Sequence, residues 1–176
     1  MDDNPYNPDY EHEGQTVPNP QIALGFLYRT VQAEVDIAAA LGLLTAVRLY
    51  LTAGANADHQ TPTGIAPLHC AWDAWLKVPP GHPLKRQRFL VTRDIATLLV
   101  EHGADANVAT HAGVTPLHMA AQFGHDDIVA TLLRHGADRT RRDAQGRSAE
   151  DVARKAGHRG AVSLLANWKW VEKAAT

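Results

Sequence analysis

Ten histidines and a single cysteine are the residues of this 176-residue chain best suited to chemistry. Imidazole nitrogens and a thiolate can ligate zinc, or, with an orienting acid, activate a nucleophile. Either use needs the side chains to converge, and their spacing points elsewhere. Six histidines return in pairs: His69 and His118 are 49 residues apart, and His102 with His135 and His125 with His158 are each 33 apart. A residue that returns at a fixed interval belongs to a repeated structural unit. The other four, His12, His59, His82 and His111, are scattered without the close ligand spacing of a zinc site. Cys70 adjoins His69, but both continue the helix-start pattern Pro67-Leu68-His69. No Ser, Thr or Cys lies beside a base and its orienting acid, no phosphate-cradling glycine loop follows a strand, and no carboxylate pair faces a cleft. The expectation is no catalytic residue, no metal ligand set and no cofactor. A metal- or cysteine-dependent enzyme is the remotest reading.

The elements that carry these residues repeat. Gly103-Ala104-Asp105 and Gly136-Ala137-Asp138 are 33 residues apart and bracket Thr115-Pro116-Leu117-His118. Between them stand Gly113, Ala120-Ala121, Gly124-His125, Ile128-Val129 and Leu132-Leu133. In this order the residues resemble the ankyrin repeat family, whose unit is a hairpin finger followed by two antiparallel helices. Earlier in the chain, Gly64, Pro67-Leu68-His69, Ala71, Ile95 and Leu99 follow the same template, interrupted by an insertion of 16 residues. Ala38-Ala39, Gly42, Ala46-Val47 and Gly54-Ala55-Asn56 resemble a degenerate first repeat, and Gly146, Ser148, Ala153, Gly157-His158, Val162 and Leu165 a fourth. The resemblance implies an all-α solenoid of about four helix-turn-helix repeats with short fingers, over residues 25–57, 58–106 (insertion 76–92), 107–139 and 140–170 within a domain 21–170. An arm, 1–20, precedes it and a tail, 171–176, follows.

Each matching residue also has a physical task. Thr115 can cap a helix whose first position is Pro116, where the missing donor costs nothing. Gly124 and Gly136 each follow an apolar stretch, where a left-handed residue would stop a helix. Leu117, Ala120 and Ala121, and then Ile128, Val129, Leu132 and Leu133, form the stripes that stack between repeats. In the first repeat Ala33-Glu34-Val35-Asp36 stands where Thr-Pro-Leu-His would be, so its capping bonds are expected to be lost. In the fourth, Ser148-Ala149-Glu150-Asp151 keeps a capping-box pattern. Both read as terminal caps.

A net charge of −2 argues against a general nucleic-acid binder, no apolar run is long enough to span a membrane, and the first residues do not form a signal peptide. With one cysteine no internal disulfide can form, so a reducing cytoplasmic setting is expected. The charge is unevenly spread. Residues 1–20 carry Asp2, Asp3, Asp9, Glu11 and Glu13 without a cation, and residues 77–93 carry Lys77, Lys85, Arg86, Arg88 and Arg93 without an acid. The arm reads as flexible or extended, or alternatively as docking through Tyr6, Tyr10 and Pro18. Beyond it, Ile22, Leu24, Phe26, Leu27 and Val31 suggest a helix covering the first repeat. Within the insertion, Val78-Pro79-Pro80-Gly81 is loop chemistry, but Leu84, Arg88, Val91, Ile95 and Leu98 recur at helical spacing, predicting a second helix that starts near Pro83. Such an early start would project a basic helix ~15 Å beyond its neighbours. It is either a clamp for an acidic partner or the arm, or a solvated helix covering the stack edge. Trp72 replaces a small alanine and Trp75 a helix-ending glycine; they either fill space under that helix or form an aromatic patch. Trp168 and Trp170 are expected to cover the last repeat's apolar face.

The resemblance implies recognition by fingertips and first helices. The corresponding positions are Gln60, Thr63, Ile65, Asp73 and Trp75 in the second repeat, His111, Val114, Gln122 and Phe123 in the third, and Arg142, Gln145, Arg147 and Lys155 in the fourth, with Arg86 and Arg88 on the insertion. Phe123 is the aromatic candidate for an interface anchor. The expected function is non-enzymatic binding of one protein partner, with an acidic patch to suit the insertion, by a chain monomeric on its own. It would act as an inhibitor, a neutraliser of the immunity or antitoxin type, or a regulatory subunit. The alternative is an adaptor joining two partners.

Overall fold

The computed structural model describes residues 35–72, 76 and 78–174, with side chains as far as Trp168. Residues 35–41 are helical and precede α1 (Leu44–Thr52). Then come α2 (Pro67–Cys70), α3 (Leu84–Glu101), α4 (Pro116–Phe123), α5 (Asp126–Arg134), α6 (Ala149–Ala156) and α7 (Arg159–Ala174). The helices form four consecutive pairs, and no strand occurs among the described residues; the one β-bridge links Arg142 to Ser148. This is the expected all-α solenoid. The sequence pattern at the expected capping helix, residues 22–31, and the acidic arm lie outside the described residues.

Local chemistry sets where the helices begin and end. Thr115 accepts the backbone N–H of His118 while Pro116 takes the first position of α4. Ser148 and Asp151 close the reciprocal box at the start of α6: the Asp151 N–H donates to Ser148 Oγ (3.2 Å) and the Ser148 N–H to Asp151 Oδ2 (3.0 Å). Gly124 ends α4 in the left-handed region at φ 66°. A Cβ there would also strike the His158 ring, so two constraints select glycine at one position.

Three fingers separate the pairs and share one geometry. The N–H of Thr61, Thr110 and Asp143 donates to the carbonyl four residues on, at 2.8, 3.0 and 3.0 Å. These equivalent positions reproduce the 49- and 33-residue offsets of the sequence. Neighbouring fingers are tied as well: the Ala144 N–H donates to the Ala112 carbonyl (2.8 Å), and Asn107 Oδ1 accepts from the Asp138 N–H (2.7 Å). The core is one continuous layer between the pairs, with Leu68, Leu117, Ile128, Leu132 and Leu165 all but fully buried. Each such side chain contributes about 1.5–3 kcal/mol of burial. At the first repeat Ile37, Leu41 and Leu43 are exposed by 57%, 49% and 50%, so its outer side is apolar.

The insertion lengthens a helix, as expected from its spacing. α3 starts at Leu84, beside Pro83, and has 18 residues against 9 in α5. It does not stand free. Arg88 donates to the Leu41 carbonyl of the first repeat (3.3 Å), and Phe89 packs on His125 of the third, ring centroids 4.7 Å apart. Lys85 Nζ donates to the Val78 carbonyl (2.6 Å), fixing the loop that leads in. The last helix is kinked at Asn167 (φ −110°, ψ 16°) and runs on to Ala174, past the expected boundary at 170. Trp168 is buried, while the side chain of Trp170 lies outside the described residues.

Candidate recognition surface

The six recurring histidines are structural. His69 and His118 each accept a helix-start N–H at Nδ1, from Ala66 (3.1 Å) and Thr115 (3.3 Å). That leaves Nε2 as the donor, and it reaches the next finger at the carbonyls of Val114 (3.2 Å) and Arg147 (3.0 Å). Each histidine thus pins its own helix start to the next repeat. His158 Nε2 lies 3.1 Å from the Gln122 carbonyl, and His102 and His135 bond within their own helices. No group of three His, Cys, Asp or Glu able to hold a metal occurs among the described residues.

Trp72 explains the irregular second repeat. It is fully buried, and its Nε1–H donates to His125 Nδ1 at 3.3 Å. His125 in turn carries Phe89 on one side and Phe123 on another (centroids 6.0 Å). The tryptophan is therefore packing, as the space-filling alternative held, and Trp75 lies outside the described residues. Burial, with the charges of His158 and Lys85 adding to it, lowers the His125 pKa to about 4. Burial also lowers that of His69, against the pull of the Val114 carbonyl.

Asp36 is the exception in the series. It occupies the slot of His69 in the first repeat, where an acceptor replaces the usual N–H donor. Its Oδ1 is buried and, among the described residues, has no hydrogen-bond partner; the same holds for His59 Nδ1. Burial raises the Asp36 pKa to about 6, with His59 acting in the opposite direction. The departure at this position is legible in the sequence, but its burial is not.

Most of the expected recognition positions do face outward. Gln60, Thr63, Ile65, Arg86, His111, Gln122, Arg142, Gln145 and Lys155 are exposed, and Arg88, Val114, Phe123 and Arg147 are half-buried. Asp73 lies outside the described residues. Several of these residues also have internal tasks, among them Arg142, which donates to the Gly146 carbonyl (2.7 Å). Arg88 holds Leu41, Phe123 leans on His125, and Arg147 chelates the buried Asp143 carboxylate, with Nε–Oδ2 at 2.8 Å. Asp143 further accepts the N–H groups of Gln145 (3.0 Å) and Arg147 (2.9 Å). The Arg147 side chain and these amides hold its carboxyl below the usual range. Of the five cations in residues 77–93, Lys85 and Arg88 hold backbone carbonyls and Arg93 pairs with Asp94 (2.8 Å). Arg86 remains an outward cation, so the surface of α3 is less basic than its composition.

Between the third and fourth repeats the first helices and fingers enclose a groove of about 180 Å³. Val114, Met119, Phe123 and Val152 supply its apolar wall, with Gln122 and Arg147 at the rim. Val114, Gln122, Phe123 and Arg147 are expected singly from the sequence, and nothing in their spacing joins them into one groove.

This architecture of stacked helix pairs with fingers in register defines a repeat module for binding other proteins. Residues 90–173 match the family model for ankyrin repeats (3 copies). The chain is 33% identical over 134 residues to cyclin-dependent kinase 4 inhibitor B of Bos taurus, an alignment covering 76% of this chain and 89% of that protein. It is 35% identical over 129 residues to the Homo sapiens protein of the same name, covering 73% and 81% respectively. It is also 38% identical over 73 residues to the Arabidopsis thaliana E3 ubiquitin-protein ligase XBAT33, covering 41% of this chain and 14% of that protein. The chain belongs to the ankyrin-repeat family. No helix among the described residues is long and apolar enough to cross a membrane.

Proposed function

We propose that this chain binds one protein partner across its fingers and first helices and holds that partner inactive, performing no reaction itself. A protein kinase of the cyclin-dependent class is the partner to test first. The observation that carries inhibition is likeness along most of the length of two proteins named as inhibitors of such a kinase, 89% and 81% of their chains. The geometry agrees with a binding role. Exposed positions recur in register from Gln60 and Thr63 through His111 and Gln122 to Arg142 and Lys155, and the recurring histidines are engaged in holding the fold.

The assay is substrate phosphorylation by purified cyclin-dependent kinase 4 with its cyclin, titrated with the full chain, alongside calorimetric binding. Saturable loss of phosphorylation at about one chain per kinase supports the reading. Undiminished phosphorylation with no heat of binding removes the kinase as partner. A second reading, an adaptor, is favoured by α3, where Leu84 and Leu90 are exposed by 47% and 38% near the outward Arg86. An adaptor would hold two partners at once, which sedimentation of the ternary mixture would reveal.

A further inference from the structure

We infer that the groove between the third and fourth repeats is an anchor pocket. It takes one bulky apolar side chain of the partner, while the fourth repeat receives acidic residues flanking that anchor. The inference rests on the reading of the chain as a binder of a protein partner and specifies what that partner presents.

Size is the first argument. At about 180 Å³ the groove is below the ~300–1,000 Å³ of sites that enclose small-molecule ligands or cofactors, and suits a single leucine, methionine or phenylalanine side chain. Its wall is of the right kind, since Val114, Met119 and Phe123 are half-buried and keep part of their apolar surface open. Anchors seated in such pockets dominate protein interfaces. An apolar wall also favours a protein over a nucleic acid as the source of negative charge.

Charge is the second argument. Residues 140–170 carry seven Lys and Arg against three Asp and Glu, whereas residues 107–139 carry two against three. Lys155 is exposed, stands where the third repeat has Gln122, and enters none of the ion pairs among the described residues. Arg142 is exposed too; one of its guanidinium nitrogens donates to the Gly146 carbonyl (2.7 Å) and pairs loosely with Asp151 (3.6 Å), while its side chain stays 62% exposed. Arg147 adds no net charge because Asp143 neutralises it; that pair instead fixes one wall of the groove. An acidic segment is attracted across the whole fourth repeat, and a basic one is repelled.

The test is selection of a random dodecapeptide phage library on the immobilised full chain. Enriched peptides are expected to share a leucine, methionine or phenylalanine with Asp or Glu within a few residues. A synthetic peptide of the enriched sequence should lose about tenfold or more in affinity to Val114→Glu, which charges the wall. It should lose about threefold or more to Lys155→Glu, at an exposed position, an effect that shrinks at high salt. Circular dichroism of both variants checks that they fold. No enrichment, enrichment of basic peptides, or binding insensitive to both substitutions overturns the inference. The kinase assay fails separately: selected acidic peptides with an unbound kinase remove the kinase reading alone. Unaltered inhibition by both variants removes the groove alone.

Discussion

At the scale of single residues, two side chains push the chain's response to acid in opposite directions. His125 is held neutral in the fold, at a pKa of about 4, and binds its proton near 6.5 when unfolded. Its contribution to stability is present above pH 6.5 and is lost as the pH falls toward 4, on the order of 3 kcal/mol in full. Asp36 acts the other way. Its folded pKa of about 6 lies above the unfolded value, so between pH 6 and 4 protonation favours the folded state and turns the carboxylate into the donor its slot lacks. Urea unfolding of Asp36→Asn should show a gain at pH 7 of up to ~1 kcal/mol, reduced by the group's partial exposure, and a steeper loss than the parent from pH 6 to 4. A shallower acid slope would contradict the assignment. Trp72→Phe removes the donor to His125 and should cost about 1–3 kcal/mol, with the His125 titration, followed by NMR, moving upward. The departures at Trp72 and Asp36 were legible in the sequence as mismatches to the repeat. What replaced the lost contacts was not, because Trp72 and His125 are 53 positions apart and in different repeats.

At the scale of elements, helix starts and stops were almost entirely legible, since they are written in local chemistry. Thr115-Pro116 and Ser148-Ala149-Glu150-Asp151 cap as their types require, and loop chemistry followed by helical spacing from Pro83 onward placed the start of α3 within a residue. The cost of altering a stop depends on what stands behind it. Gly136→Ala meets open space and should cost about 1 kcal/mol from its left-handed backbone alone, whereas Gly124→Ala also meets the His158 ring and should cost clearly more. Comparable urea midpoints for the two variants would show that the ring gives way. The basic face of α3 was less legible, because a composition of four cations, Lys85, Arg86, Arg88 and Arg93, does not reveal which groups they hold. Arg88→Ala should cost about 0.5–1.5 kcal/mol by releasing Leu41, while Arg86→Ala should change stability by less than ~0.5 kcal/mol. Equal effects would mean that the tie to the first repeat carries no weight.

At the scale of the whole molecule, each helix pair buries its apolar side against its neighbours, so damage should spread with position. Ile128→Ala, in the middle of the stack, should cost about 2–5 kcal/mol and lower amide-exchange protection in the repeats on both sides. Leu165→Ala, in the last pair, should loosen mainly α6 and α7. Equal loss of protection everywhere in both variants would mean that the stack opens as a single unit. Four repeats and their order could be read from the chain; the anchor groove could not, since it exists only where Val114, Met119 and Val152 from two repeats meet. The added residues of the second repeat enter at the turn between α2 and α3, at the opposite end of the helices from the fingers. The fingers keep a common hydrogen-bond pattern on both sides of them. Length can therefore be gained or trimmed at that turn while the spacing of the fingers is preserved, which lets one end of the helices diversify independently of the other.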